Sequence, residues 1–206
     1  RNMAVLRRMM VTAEEEIRVC VPAQRLLPIT SARQNSNNTS MFFDIWESLQ
    51  ELMPTNRPVK IIVFGRHTIN IPITYQQQLL SIASRSTDIR LYSTYHQFLE
   101  EDCHIHIPLL EPYGSSIQYF PNIPSSRQLK WSGSLADILG HDIPCVLHRA
   151  VFDAYHYWWK NATMAPYALY DRNFSSDKDG GGGGTYDAMS LTKAISTALS
   201  WYGVKT

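Results

Sequence analysis

The stretch Val59-Lys60-Ile61-Ile62-Val63-Phe64 constrains this chain more than any other. It is nearly all apolar and mostly β-branched, so it has no polar side to turn to water. Such a run reads as a strand covered on both faces, the condition of strands in a parallel sheet. Shorter apolar runs repeat the theme at Ile17–Val21, Ile89–Tyr92, His104–Leu110, Pro144–His148 and Tyr167–Tyr170. Between them the apolar period lengthens to that of a helix. Phe42, Ile45, Trp46, Leu49 and Leu52 form one stripe over Met41–Met53, with Thr39 or Ser40 as its cap and Pro54 as its stop. Helices are also expected over Thr74–Ser84, Tyr95–Glu100, Ser134–Leu139, Ala150–Lys160 and Tyr186–Trp201. Strands alternating with helices at this spacing predict an α/β fold, a Rossmann-like parallel sheet with helices on both faces.

The organisation follows from that pattern. Residues 1–16 read as a lead-in helix carrying Val5, Leu6, Met9 and Met10, and residues 17–174 as the Rossmann-like domain. Residues 175–185 read as a flexible loop ending in five glycines, and 186–206 as a closing helix. The polar run Ser31–Ser40 reads as a loop. In such folds ligands sit at the carboxyl ends of the strands, which directs attention to the loops after Val21, Phe64, Leu110 and His148.

Composition excludes several classes. The 206 residues carry a formal net charge of +1, so there is no basic footprint for nucleic acid. No apolar run is long enough to cross a membrane as a helix, and no signal-peptide pattern is visible. The chain begins at Arg1 rather than Met, as a processed product or a piece of a longer protein would. Cys20, Cys103 and Cys145 each sit in an apolar run and read as small buried hydrophobes rather than a disulfide framework. Four N-glycosylation triplets begin at Asn37, Asn38, Asn161 and Asn173.

A few residues carry chemistry. Gly65-Arg66 follows the best strand, where a backbone turn can face a phosphate with Arg66 as the cation. Arg33 is a second cation, in the first polar loop. His148, followed by Arg149, stands at the end of a strand, as a ligand contact or as a cap for the next helix. His104 and His106 alternate with isoleucines, which puts both imidazoles on one face, but a metal would need a third ligand and none is visible. No cofactor is expected: the five glycines lack the Lys-Ser/Thr of a phosphate loop. Tyr155, Tyr157, Trp158 and Trp159 are too aromatic to share one core, which reads as a surface for a protein partner.

Taken in order, these segments resemble the C-terminal half-domain of GT-B glycosyltransferases. The likeness runs from IRVCVPAQ at Ile17, through VKIIVFGR and HIHIPLLEP, to SGSLADILGHDIPCVLH ending at His148. The resemblance implies a domain that grips a nucleotide-sugar donor and works only beside an acceptor-binding domain. Where the family places two acidic residues eight positions apart, the second, which holds the ribose, falls on Asp137, and the first falls on Leu129. The family's glycine before x-Pro is Asp142. Arg33 and Arg66 stand for the basic pair near the diphosphate. Leu129 and the thin basic side imply a divergent domain, inactive alone, or a non-catalytic interaction subunit of a larger assembly that keeps the fold. An active enzyme implies the secretory pathway or Golgi; an interaction subunit implies an intracellular complex.

Overall fold

The protein was analysed as a computed structural model. It describes residues 15–22, 37–52, 56–66, 87–92, 103–110, 132–162, 165–171 and 188–206. The strands are β1 (Ile17–Pro22), β2 (Val59–Arg66), β3 (Thr87–Tyr92), β4 (Ile105–His106), β5 (Cys145–His148) and β6 (Tyr167–Tyr170). The helices are α1 (Asn37–Leu52), α2 (Gly133–His141), α3 (Arg149–Ala162) and α4 (Ala188–Ser200). The expected lead-in helix, the helices over 74–84 and 95–100, the glycine loop and Arg33 lie outside the described residues.

All six strands pair in parallel, in the order β3-β2-β1-β4-β5-β6. The chain therefore builds outward from β1 to β3, returns to the other side of β1, and builds outward again to β6. This is the Rossmann order, and the reversal lies between β1 and β4.

Alternation along the central strands sorts the core into two layers. Ile17, Val19, Val21, Ile61, Val63, Ile105, Val146, Ala168 and Tyr170 share one face and pack under α1 and α4. Those helices answer with Ile45 and Leu49 of α1 and Leu191, Ala194, Ile195, Ala198 and Leu199 of α4, spaced three and four apart so that each stripe faces the sheet. On the opposite face, Cys145 and Leu147 of β5 meet Leu135 and Ile138 of α2 and Val151 and Tyr155 of α3. Cys20, Ile62, Phe64, Cys103 and Ile143 form a smaller cluster on that same side. The sheet thus carries helices on both faces, as its apolar strands require.

Three expectations are corrected, and one is made definite. The strand expected over His104–Leu110 is paired only at Ile105 and His106, with one flanking bond to β1 on each side, from the His104 amide to the Arg18 carbonyl (3.3 Å) and from the Ile107 amide to the Cys20 carbonyl (2.9 Å). Pro108 then has no N–H to give the ladder, and Leu109 turns left-handed with φ of 52°. Gly65 does not end its strand: Gly65 and Arg66 stay in the ladder opposite Leu91 and Tyr92 of β3. Pairing outweighs glycine's freedom there. Helix α1 begins at Asn37, so Thr39 and Ser40 lie in its first turn rather than before it. Polar residues that favour caps and turns are tolerated in a first turn, where the backbone donors have no helical partner. Of the aromatics expected to exceed one core, Tyr155 is the one that faces it; the side chains of Tyr157, Trp158 and Trp159 lie outside the described residues. Tyr155 is 6% exposed, and its φ of −124° marks a kink within α3.

The amino edge of the sheet is closed by the chain's end. Buried Arg57 donates from Nε to the Glu15 carbonyl (2.7 Å) and from Nη1 to the Tyr202 carbonyl (2.8 Å). The Tyr202 hydroxyl donates to the His104 carbonyl (2.6 Å). Asn56 takes the Lys205 amide on Oδ1 and donates from Nδ2 to the Gly203 carbonyl.

Candidate functional site

The carboxyl edge of the sheet gathers the ends of β1 at Pro22, β2 at Arg66, β5 at His148 and β6 at Tyr170, with Ile107–Leu110 following β4. The strand order reverses between β1 and β4, the point of such a sheet at which ligands bind in this class of fold. Leu109, the residue with φ of 52°, follows β4 at this point and is buried in the core. A branched apolar side chain in the left-handed region costs on the order of 1–2 kcal/mol. Strain of this kind gathers at functional edges. Burial of the Leu109 side chain in the core offsets it.

Helix α2 brings a polar end to the same edge. Its last residue, His141, is only three residues from the start of β5, so the helix runs back along the sheet and its first turn lies toward the carboxyl side. Ser132 is the N-cap, with extended φ and ψ of −80° and 122°. Its carbonyl accepts the Ala136 amide (3.1 Å), the first bond of the helix. Its hydroxyl does not return to the helix amides, and it has no hydrogen-bond partner although the residue is 0% exposed. An unmade hydrogen bond of a buried hydroxyl costs about 1–3 kcal/mol, so the position is held against a penalty. Beside it, a Cβ at Gly133 would meet nothing within 4 Å. The result is a helix N-terminus with a buried, unbonded hydroxyl, an exposed glycine beside it and the positive end of the helix dipole, a place where an anion at the glycine is favoured.

Asp137 lies one turn further along α2 and is half-buried. The helix ends on Asp142, whose φ of 50° and ψ of 52° are left-handed, with its amide donating to the Ile138 carbonyl. Asp is among the few residues that visit this region readily in glycine's place.

At the far side of the edge, His148 Nδ1 accepts the Ala150 amide (3.1 Å), so the capping reading of His148 holds. Its ring meets Tyr170 edge-on, with centroids 5.2 Å apart. Arg149 Nε donates to both oxygens of Asp171 (2.8 and 3.0 Å), and the Asp171 amide donates to Ser190 Oγ at the start of α4. These contacts lock the ends of β5 and β6 to α3 and α4.

The two sequence histidines part company. His104 accepts the Arg18 amide on Nδ1 (3.0 Å) and lies against Tyr202, whereas His106 lies against Phe64. His106 is 0% exposed and neither ring nitrogen has a hydrogen-bond partner; burial pulls its pKa down to about 3. Among the described residues no group of three His, Cys, Asp or Glu side chains is arranged to hold a metal.

Of the residues singled out in the sequence, His148 stands at the carboxyl end of β5 and Asp137 at the middle of α2. Gly65 and Arg66 lie at the end of β2, in the ladder rather than in a turn. Ser132 and Gly133 were missed by sequence reasoning. The signal was available in Ser132-Gly133-Ser134, a capping residue and a glycine at a helix start. No known protein family, curated protein or solved structure matches the chain.

Proposed function

We propose that this chain is a nucleotide-sugar-binding domain of glycosyltransferase type, one that turns over only beside an acceptor-binding partner domain. The observation that carries the reading is the buried, unbonded Ser132 hydroxyl at the N-terminus of α2, on the carboxyl edge of a sheet in Rossmann order. A diphosphate at the exposed Gly133 supplies what that end lacks, acceptor oxygens for the first-turn amides and negative charge for the dipole, and the buried Ser132 hydroxyl turns to it as the residues covering that hydroxyl shift. Asp137, on the same helix, is then the residue to accept hydrogen bonds from the ribose hydroxyls. Two further features support the kinship. The order of segments resembles that of the half-domain, and Asp142 adopts a left-handed turn, which suits the glycine that the resemblance puts at that place.

One reading competes, and particular residues favour it. Leu129 stands where a carboxylate would face the donor sugar, and Arg149 is held by Asp171 rather than free at the edge. On these grounds the chain is a non-catalytic subunit that kept the fold for assembly.

Thermal unfolding of the chain with UDP, GDP, their sugar conjugates and inorganic pyrophosphate separates the two. A ligand at a hundredfold excess over its dissociation constant stabilises the fold by about 2.7 kcal/mol. Ser132→Ala and Asp137→Ala should each weaken binding, about tenfold for a lost interaction of ~1.4 kcal/mol. The first should act on pyrophosphate as well, the second only on nucleotides. No stabilisation by any of these compounds would sink the donor-domain reading and leave the assembly one.

A further inference from the structure

We infer that Cys20 and Cys103 are an oxidisable pair whose disulfide clasps β1 to the segment leading into β4, the two neighbours that flank the reversal in strand order. The inference stands apart from nucleotide binding. All three cysteines are buried and free. Cys20 and Cys103 belong to one contact cluster with Ile62, Phe64 and Ile143. Both side chains are packed into that one cluster, on the face of the sheet opposite α1 and α4. Each also leans back along its own segment, Cys20 Sγ toward the Arg18 carbonyl and Cys103 Sγ toward the Ile105 carbonyl, both at 3.7 Å. The backbone brings these segments together at Arg18 and His104, where the His104 amide bonds the Arg18 carbonyl and the Arg18 amide bonds His104 Nδ1. Cys145 packs instead in the neighbouring cluster, with Leu135, Ile138, Leu147 and Val151. The pairing is therefore specified by place rather than left to three equivalent thiols.

Chemistry sets the conditions. The thiolate is the attacking species, and burial raises the Cys20 thiol well above its ordinary value. The closed domain is thus slow to react, and reaction waits for local opening or happens as the chain folds. A small-molecule disulfide such as oxidised glutathione is the oxidant. One cysteine thiolate attacks it, forming a mixed disulfide and releasing one glutathione thiolate. The second cysteine thiolate then attacks the protein-side sulfur and expels the other glutathione. Two cysteine thiols become one disulfide, two electrons pass to the oxidant, and two molecules of reduced glutathione result. In a reducing compartment the pair stays open; in an oxidising one it closes and stiffens the sheet at the reversal in strand order.

The test uses the whole chain, incubated at pH 8 in urea below its unfolding midpoint, with oxidised glutathione, and then alkylated. Peptide mapping without reduction should find the Cys20 and Cys103 peptides joined and lighter by two hydrogens, with Cys145 alkylated. Cys145→Ser should leave the yield unchanged, and Cys20→Ser or Cys103→Ser should abolish the bridge. The oxidised protein should melt roughly 5–15 °C higher than the reduced one. Three alkylated cysteines after treatment, or a bridge that takes Cys145 in place of either partner, would overturn the inference.

Discussion

His106 is the residue at which burial has the clearest thermodynamic consequence. It sits on β4 in register with Cys20 on one side and Cys145 on the other, among apolar and thiol side chains. With no acceptor or carboxylate bonded to either nitrogen, the imidazole is neutral when folded. The unfolded chain binds a proton near pH 6.5, while the folded chain resists until about 3. Protons therefore favour the unfolded state throughout that window. The stability attached to this group is complete above pH 6.5 and falls as pH is lowered toward 3. At pH 5 the loss relative to neutral pH is roughly 2 kcal/mol. His106→Leu should flatten the acid limb of a urea-midpoint profile between pH 7 and 4.5. An unchanged slope in the variant would show that the imidazole is charged, or solvated, in the native state. The neutral pH stability of the variant should hold or rise, because two unbonded polar atoms leave the core.

At the scale of elements, what was legible in the sequence was what apolar period alone decides. The β5–α3–β6 run and the α2 and α4 helices stand within a few residues of their expected bounds, because short apolar strands and three-four stripes report burial directly. What the period could not report was partnership. Gly65 looks like a stop until β3 is known to lie beside it, and Ile107–Leu110 looks like strand until Pro108 is seen to lack a donor and Leu109 to turn left-handed. The candidate site was half legible for the same reason: Asp137 follows from the resemblance, while Ser132 matters only because no partner meets its hydroxyl. Arg57 was invisible to any period, yet it joins three parts of the chain at the amino edge. It is 7% exposed and satisfies two carbonyls, at Glu15 and Tyr202, from one guanidinium. Arg57→Ala removes both donors and leaves the carbonyls short of partners, at about 1–3 kcal/mol for each buried group. Chemical denaturation should read a loss of at least 2 kcal/mol, where an exposed arginine would give almost none. A loss under 0.5 kcal/mol would mean water replaces the guanidinium at no cost.

The whole molecule is polarised along its strands. Every strand points the same way, so one edge collects all the amino ends and the other all the carboxyl ends. At the amino edge the described contacts are self-satisfying: Arg57, Asn56 and Tyr202 spend their hydrogen bonds on the chain's own backbone. At the carboxyl edge the described residues include a bare hydroxyl, an open glycine and a strained leucine. A parallel sheet separates the two duties because backbone crossovers and helix N-termini both fall on its carboxyl side. Variants at the two edges should accordingly fail in different ways. Tyr202→Phe keeps the buried ring and removes only the bond to the His104 carbonyl, a change of about 1–3 kcal/mol in stability. Extrapolated to conditions where both proteins are folded, its affinity for UDP or pyrophosphate should match the parent's. Ser132→Ala should do the reverse, holding or gaining stability as an unbonded polar atom leaves the core while weakening anion affinity. Paired calorimetric titrations and urea curves on the two variants measure both quantities. Loss of affinity in Tyr202→Phe equal to that in Ser132→Ala would mean that the edges are coupled and that the division of labour along the strands does not hold.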